Sequence, residues 1–402
     1  MVVPQLRPFS GLRYDRAIVP DLGAVLCPPY DVISANERRR LIERDPHNAV
    51  RLELPDSYED ATARLGQWQD AGVLARDERP LIYAYEQRYV VGGGERVARS
   101  FFCRLRLEDY GPGSGVQPHE RTMAAPKEDR FRLLEATRVN LSPVLLLYAD
   151  ERGGAASANL MDALTGAPPT ASAAGPDGVG QRLWAIDPKV TPAANELLDL
   201  AGRGPLTIAD GHHRYETALR YRATPGAAPG ADHVLALLYD ARSGGLSLRP
   251  WHRVVAGPLA AKSFEGRRFG DARDLLDQMQ LAESDATPGI FGVWTRDGGT
   301  LLEIATDRSQ ELDVDILSST LPQMIGATTD ELNAAGRLTY VSDARQAIAA
   351  VDSGQAEVCF LVRPTPVESV LQVAANGGFM PPKSTFFHPK AATGLVFNPL
   401  WP

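Results

Sequence analysis

The sequence predicts a mixed α/β protein, in which short apolar strands and amphipathic helices follow one another along 402 residues. The first observation is the stretch 206–219, where an alternating apolar run leads into a polar turn and then into apolar residues at helical spacing. The second is a pair of β-forming runs, 81–89 and 96–107, around glycines 92–94, which predicts a hairpin. Further buried strands are predicted at 143–148 and 233–239.

Helices are predicted on both sides of the central stretch. Ser34 is placed to cap a charged helix over 35–44. Other helical patterns occur at 58–71, 192–202, 263–281, 344–351 and 367–375. A shift near residue 150 towards Ala, Gly, Pro and Ser indicates a boundary. We therefore expect an N-terminal α+β region (1–150), a central region (151–260) and a C-terminal α+β region (261–402).

The composition excludes several classes of protein. A net charge of -8 without a long basic run argues against a nucleic-acid binder, because affinity for phosphate backbones comes from clustered Lys and Arg. The sequence contains no stretch of 18 uncharged apolar residues, so it predicts no membrane span. The N-terminus lacks the apolar core of a signal peptide. Three cysteines far apart in the sequence suggest neither disulfides nor a thiolate metal site. We expect a soluble cytoplasmic protein, and the oligomeric state stays open.

The turn between the central strand and helix carries the most informative residues. Asp210, Gly211, His212, His213 and Arg214 fall at the start of the predicted helix. The first N–H groups of a helix have no internal partner and carry the positive end of its dipole, so an anion binds there readily. A guanidinium adds a bidentate fork, and a glycine lets the backbone approach a ligand closely. This pattern predicts a phosphate or nucleotide site.

Other functions of the same residues stay open. The Asp210 side chain is also of the type that caps a helix, and the two histidines are compatible with a purely structural role or with a metal site. Adjacent helical residues point about 100° apart, so both histidines are not expected to share one core environment.

Three more polar clusters are candidates for the same site. Tyr30 and Asp31 follow two prolines that stiffen their loop. The segment His119, Glu120, Arg121 and Thr122 offers groups for acid–base or metal chemistry, although a His–Glu pair on a loop is often only solvated. Near the C-terminus, the loop 380–390 combines prolines with two lysines and two hydroxyls, and we expect Lys383, Ser384 and Thr385 to bind phosphate. The alternative for this loop is a strap held by Phe386 and Phe387.

These clusters together resemble a conserved bacterial and archaeal family, domain of unknown function 1015. The resemblance rests on Pro-Pro-Tyr-Asp-Val-Ile (28–33), His-Glu-Arg-Thr (119–122), Asp-Gly-His-His-Arg (210–214) and Met-Pro-Pro-Lys-Ser-Thr (380–385), which occur in this order. It covers nearly the full chain. This resemblance identifies related proteins, but it does not imply a particular reaction.

The Asp-Gly-His-His-Arg box alone is similar to the helix-start box of the ParB/sulfiredoxin superfamily. That resemblance implies a small α/β nucleotide-binding unit, here with flanking α+β segments, whose phosphates lie at residues 210–214. Members include a CTP-binding partition protein, a sulfinic-acid reductase and a free-serine kinase. The reductase needs a cysteine beside the box, which this sequence lacks, whereas the kinase reaction remains compatible.

The resemblance leads to a hypothesis of phosphoryl transfer between a nucleotide, ATP or ADP, and a small hydroxyl-bearing metabolite such as free serine. In it, His212, His213 and Arg214 neutralise charge on the phosphoryl group, while Asp210 holds Mg²⁺ or orients the acceptor. Glu120 or Glu216 acts as the base, and Tyr30, Asp31, His119 and Arg121 bind the substrate. The alternatives are a phosphatase acting on a small phosphoester such as phosphoserine, and a non-catalytic nucleotide sensor.

Overall fold

A computed structural model describes residues 3–401 except 92, 112, 123, 176–177, 284–286, 306–311 and 382, and for 124–126 it describes the backbone alone. The chain forms two compact units. The first comprises Met1–Ser247, Ala374–Gly378 and Pro389–Pro402. The second comprises Leu248–Val373 and Phe379–His388.

The first unit contains most of the chain. Its described helices are α1 (Leu22–Val25), α2 (Ala35–Arg44), α3 (Val50–Glu53), α4 (Tyr58–Asp70), α5 (Ala124–Thr137), α6 (Ala155–Thr165), α7 (Pro192–Ala201) and α8 (His212–Arg222), with a 3₁₀ turn at Tyr30–Val32. Its described strands are β1 (Leu6–Arg7), β2 (Leu12–Tyr14), β3 (Leu74–Arg76), β4 (Ile82–Val91), β5 (Gly94–Arg106), β6 (Val116–Gln117), β7 (Val139–Asn140), β8 (Val144–Tyr148), β9 (Ala171–Ala174), β10 (Gly180–Ile186), β11 (Leu206–Asp210) and β12 (His233–Asp240).

One large mixed sheet organises the first unit. Within the described residues its order is β6-β11-β8-β12-β5-β4-β10-β9, with β1 also paired to β5. One face carries an apolar core in which Phe101, Leu146 and Leu238 pack with Met161 of α6, Leu197 of α7 and Tyr215 of α8. The opposite face carries buried tyrosine and glutamine side chains, including Tyr85, Gln87 and Tyr239. Apolar and polar side chains alternate along these strands because successive residues of a strand point to opposite faces of the sheet.

The second unit is built on a separate antiparallel sheet. Its described elements, beginning with a strand that starts one residue before the boundary, are β13 (Ser247–Arg249), β14 (His252–Val255), β15 (Arg267–Phe269), α9 (Ala272–Ala282), β16 (Ile290–Thr295), β17 (Gly298–Glu303), α10 (Asp313–Ile325), α11 (Thr329–Ala334), β18 (Leu338–Val341), α12 (Ala344–Asp352), β19 (Val358–Leu361), α13 (Val367–Ala375) and β20 (Phe386–His388). The described sheet order is β15-β17-β16-β19-β14-β18. The final strand, β21 (Asn398–Pro399), belongs to the first unit.

Each face of the second sheet is covered by helices. Leu275 of α9 and Val351 of α12 pack on one face with Val254. Leu317 of α10 and Leu332 of α11 pack on the other face with Val255. Neighbouring strand residues therefore serve opposite cores, as expected for a strand buried on both sides.

The mixed α/β class predicted from the sequence is confirmed. The predicted helix over 263–281 is partly wrong, because 267–269 pair with β17 as strand β15 and the helix begins only at Ala272. The predicted division at residue 150 does not follow the units, since β12 pairs with β5 across it. The hairpin glycine at 92 lies outside the described residues. No helix in the described part of the chain is long and apolar enough to cross a membrane.

Candidate functional site

The site is built on the turn between β11 and α8. The strand residues Leu206 to Ala209 are buried, and α8 begins at His212, so the predicted order of strand, turn and helix is confirmed. Gly211 occupies the turn with φ +93°, a left-handed conformation that L side chains rarely adopt. Because the backbone reverses there, the first turn of α8 starts immediately beside the end of a buried strand.

Asp210 is bound by two cations. Its Oδ2 accepts a hydrogen bond from Arg214 at 2.5 Å, and its Oδ1 accepts one from the ammonium of Lys390. Burial alone would raise the pKa of this carboxyl, but the charges of Lys390 and Arg214 hold it well below its usual range. The residue at the helix cap is Gly211, which makes no side-chain capping bond. Asp210 therefore serves as the counter-charge of the cluster rather than as a cap.

Arg214 is largely enclosed, with a side chain 11% exposed. Beyond its bond to Asp210, it donates to the Pro143 carbonyl, and its guanidinium packs against Gly211 so closely that a Cβ there would lie 3.0 Å from Cζ. Its Nε has no hydrogen-bond partner among the described residues. The same guanidinium lines a cavity of about 50 Å³ together with Glu53, Arg130 and Ser142.

His119 and His212 pack against each other beside this cluster. Their rings meet edge to face at 4.8 Å, and the His119 amide donates to Nε2 of His212 at 3.3 Å. Nδ1 of His119 lies 2.6 Å from the Ile208 carbonyl oxygen. Burial lowers the pKa of His119 to about 4 and holds that of His212 well below its usual value. Both rings are therefore neutral near pH 7, so His212 does not supply the positive charge predicted for it.

His213 and Glu216 differ in how available they are. His213 is half-buried, and burial also lowers its pKa. Glu216 accepts hydrogen bonds from Tyr110 at 2.5 Å, Thr122 at 2.7 Å and Lys127 at 2.8 Å. Although burial opposes it, these donors lower the pKa of Glu216. A carboxylate held in this way is a poor proton acceptor, which argues against Glu216 as the base.

The Pro-Pro-Tyr-Asp loop comes near the same cluster. Electrostatic interactions link Arg214 to both Tyr30 and Asp31, and they link His213 to Asp31. The Arg130 guanidinium lies over the Tyr30 ring, 4.3 Å from its centre. Asp31 itself is exposed. The structure thus brings together residues near 30, 119 and 210 that are far apart in the sequence.

The segment 119–122 enters the site from strand β6. Glu120 is half-buried directly after His119, whereas Arg121 is exposed. Thr122 reaches Glu216, as described above. Of this segment, Glu120 is the carboxylate next to the His119–His212 contact.

The Lys-Ser-Thr loop belongs to the second unit. Its Lys383 ammonium lies 4.9 Å from the centre of the Trp251 ring, and Trp251 donates to the Thr385 carbonyl at 3.0 Å. Ser384 is buried and donates to the Pro381 carbonyl at 2.6 Å. The Ser384 hydroxyl is thus engaged within its own loop. Phosphate binding by Lys383, Ser384 and Thr385 stays a prediction, and Pro382 lies outside the described residues.

Two lysines of the site were not singled out in the sequence. Lys390 was recognised only as part of a cationic loop, yet it is this lysine, rather than Lys383, that binds Asp210. Lys127 lies within α5 and reaches Glu216. The available signal was the apolar run after Lys390, which indicates that this part of the chain enters a core. It does not reveal which core.

A metal ion is poorly matched to this arrangement. Across the described residues, no three His, Cys, Asp or Glu side chains cluster in a way that would hold a metal. Both oxygens of Asp210 are already bound by cationic side chains. Mg²⁺ prefers carboxylate oxygens that are free to enter an octahedral shell. Asp210 therefore does not fit a magnesium ligand.

Comparison with solved structures finds remote similarities. A free serine kinase in complex with AMP is 14% identical, with a TM-score of 0.35, and the match covers 68% of this chain and 83% of that one. SbnI with a C-terminal truncation, from Staphylococcus aureus, is 13% identical with a TM-score of 0.37, covering 72% and 86%. A conserved hypothetical protein from Pyrococcus furiosus is 15% identical with a TM-score of 0.34, covering 70% and 92%.

Comparison with curated protein sequences finds no match. A protein-family model described as protein of unknown function (DUF1015) matches residues 6–318, which is more than half of the chain. The chain therefore belongs to the DUF1015 family.

Proposed function

We propose that the first unit binds a nucleotide through its phosphates at the start of α8 and transfers a phosphoryl group to a small hydroxyl-bearing metabolite. The observation that carries the proposal is the convergence of Lys390 and Arg214 on Asp210 beside a left-handed glycine. Lys390, Arg214 and Asp210 together carry one positive charge at a helix start, where the dipole adds about half a charge more, and the acidic Asp31 lies on the exposed side of Arg214. An anion is the ligand that this field favours.

The roles follow from exposure and charge. Lys390 is a compact point charge suited to a phosphate, and Arg214 and Lys390 both bind the Asp210 carboxylate that lies between them. The half-buried His213 has a lowered pKa, so its ring is neutral near pH 7, and in the proposal it takes part in phosphate binding as a hydrogen-bond donor. The half-buried Tyr30 and the exposed Asp31 lie beside Arg214, and in the proposal the acceptor enters on the side of Asp31.

Glu120 is the better candidate for the base. The three donors that hold Glu216 lower its pKa and disfavour it as the base, and Glu120, which directly follows His119 in the chain, is the other carboxylate predicted for this role. In the proposed step, the acceptor hydroxyl gives its proton to Glu120 while its oxygen forms a bond to the terminal phosphorus. The bond from that phosphorus to the bridging oxygen breaks, and the nucleotide leaves with one phosphate fewer.

Free serine is the first acceptor to test, and hydrolysis of phosphoserine is the first alternative. Binding is measured by the thermal shift of the protein with ATP, ADP and AMP. Turnover is followed by ³¹P NMR with each nucleotide plus L-serine, and separately with phosphoserine alone. Stoichiometric phosphoserine formation supports the kinase; phosphate release without nucleotide identifies a phosphatase; stabilisation without turnover identifies a sensor. A protein that none of these nucleotides or phosphoserine stabilises would refute the proposal.

A further inference from the structure

Gln87 connects the interior of the first unit to the candidate site. It lies on β4, on the polar face of the large sheet, and its side chain is fully buried at 0% exposure. Its Nε2 donates to the Lys390 backbone carbonyl at 2.9 Å. Its Oε1 accepts from the Tyr239 hydroxyl at 2.6 Å. Both ends of this amide are therefore engaged, one with the sheet and one with the segment that carries Lys390.

The backbone of Lys390 lies in no helix or strand. The following segment is fixed further on, where Thr393 exchanges backbone hydrogen bonds with Cys27 at 3.2 and 2.8 Å and Phe397 pairs with Leu12. A lysine stem has four carbons and roughly 2 kcal/mol of rotamer entropy, so the position of its ammonium depends on how firmly its backbone is held. Gln87 holds that backbone at Lys390 itself.

We infer that Gln87, supported by Tyr239, is a positioning residue that places the Lys390 ammonium on Asp210 for phosphate binding. The inference rests on the proposed function, because it concerns the same cluster. Gln87 reaches Lys390 through the backbone carbonyl described above, so we expect its effect on a ligand to pass through Lys390.

The chain offers a matched control in Gln181. This glutamine lies on β10 of the same sheet and is 2% exposed. It accepts a hydrogen bond from the Tyr85 hydroxyl and donates to the Val179 carbonyl at 3.1 Å. Replacing it with Met removes the same two kinds of hydrogen bond as Gln87→Met does. The two variants should therefore lose similar amounts of stability, but only Gln87→Met removes the hydrogen bond to the Lys390 carbonyl.

The test is a double-mutant cycle on ADP affinity, measured by calorimetry. Gln87→Met should weaken ADP binding about tenfold, the value of one lost hydrogen bond of about 1.4 kcal/mol, and Gln181→Met less than about twofold. In a Lys390→Ala background, Gln87→Met should have no further effect, because coupled residues are not additive. Equal effects of Gln87→Met and Gln181→Met, or an undiminished effect of Gln87→Met without the lysine, would overturn the inference.

A second readout needs no nucleotide. The rate at which an amine-directed acylating reagent labels Lys390 is followed by mass spectrometry in the free protein. Gln87→Met should raise that rate several-fold over wild type, and Gln181→Met should not; equal rates would overturn the inference. If labelling separates the variants but wild type binds no nucleotide, the proposed function fails and the positioning role stands. Should Gln87→Met not fold, Tyr239→Phe and Tyr85→Phe give the same comparison with the loss of one hydroxyl each.

Discussion

Lys390 binds the carboxylate of Asp210 although 180 residues separate them in the chain. The lysine stands in the last segment of the first unit, 389–402, which is separated in sequence from the main part of that unit, Met1–Ser247, by the whole of the second unit. The charge balance at the start of α8 therefore depends on a contact that forms only when the C-terminal segment has packed. A substitution at Asp210 therefore tests how much this contact contributes to the stability of the folded protein.

Asp210→Asn should destabilise the protein by roughly 3–5 kcal/mol, because it leaves two enclosed cations, Lys390 and Arg214, without a counter-charge. Urea denaturation at pH 7 measures the change. The control is Asp60→Asn, which removes a more exposed ion pair with Arg64 and should cost less than about 1 kcal/mol. Equal losses for the two variants would show that the Asp210 cluster contributes no more than a surface pair.

The pH dependence of stability should report on His119. Its pKa is lowered to about 4 in the folded protein, from about 6.5 in an unfolded chain. The unfolded state then binds the proton first, so the contribution to stability is present above pH 6.5 and is lost as the pH falls towards 4. His119→Asn keeps a donor for the Ile208 carbonyl but does not titrate. As the pH falls from 6.5 to 4, wild type should therefore lose more free energy of unfolding than His119→Asn. A difference between the two proteins that stays constant from pH 7 to 4 would contradict the assignment.

Arg214 should behave as a structural residue as well as a ligand-binding one. A residue that only clamps a phosphate could be changed to Lys with little effect on folding. The structure instead encloses the guanidinium between Asp210 and the Pro143 carbonyl. Arg214→Ala should therefore cost roughly 3–5 kcal/mol of stability by leaving Asp210 with one partner fewer. Arg214→Lys should lose less stability than Arg214→Ala, because the lysine keeps a positive charge beside Asp210. The melting temperatures of both variants are measured with and without ADP. An unchanged melting temperature would refute the structural role.

The sequence predicts the local part of this site well and the long-range part poorly. Strand β11, Gly211 and α8 follow from a pattern within 14 residues, because turn chemistry and helical periodicity are local properties. The pairing of His119 with His212, and of Lys390 with Asp210, depends on sheet order and on the path of the C-terminal segment, which no periodicity encodes. For that reason the sequence predicts a role for Lys383 and does not distinguish Lys390 from it. Strand β15 was missed because a three-residue strand carries too little pattern.

The choice of base can be tested with two isosteric changes. Glu120→Gln should lower turnover by about 10²–10⁴-fold, since it removes the proton acceptor. Glu216→Gln should cost about 1–3 kcal/mol of stability, because it weakens the bonds to Tyr110, Thr122 and Lys127. Its effect on turnover should be small once the protein is folded. Loss of turnover in Glu216→Gln with Glu120→Gln fully active would reverse the assignment.

Gly211→Ala tests whether the turn is shaped by the Arg214 side chain or only by the backbone. At φ +93° an alanine is strained by about 1–2 kcal/mol, and its Cβ would also lie 3.0 Å from Cζ and Nε of Arg214. The guanidinium would have to move away from Asp210. Gly226 is the matched control, since it has φ +82° and open space where a Cβ would stand. We expect Gly226→Ala to show the backbone strain alone, and Gly211→Ala to lose at least about 1 kcal/mol more, together with weaker ADP binding. If both variants lose the same stability in urea, the contact between Gly211 and Arg214 does not constrain the site.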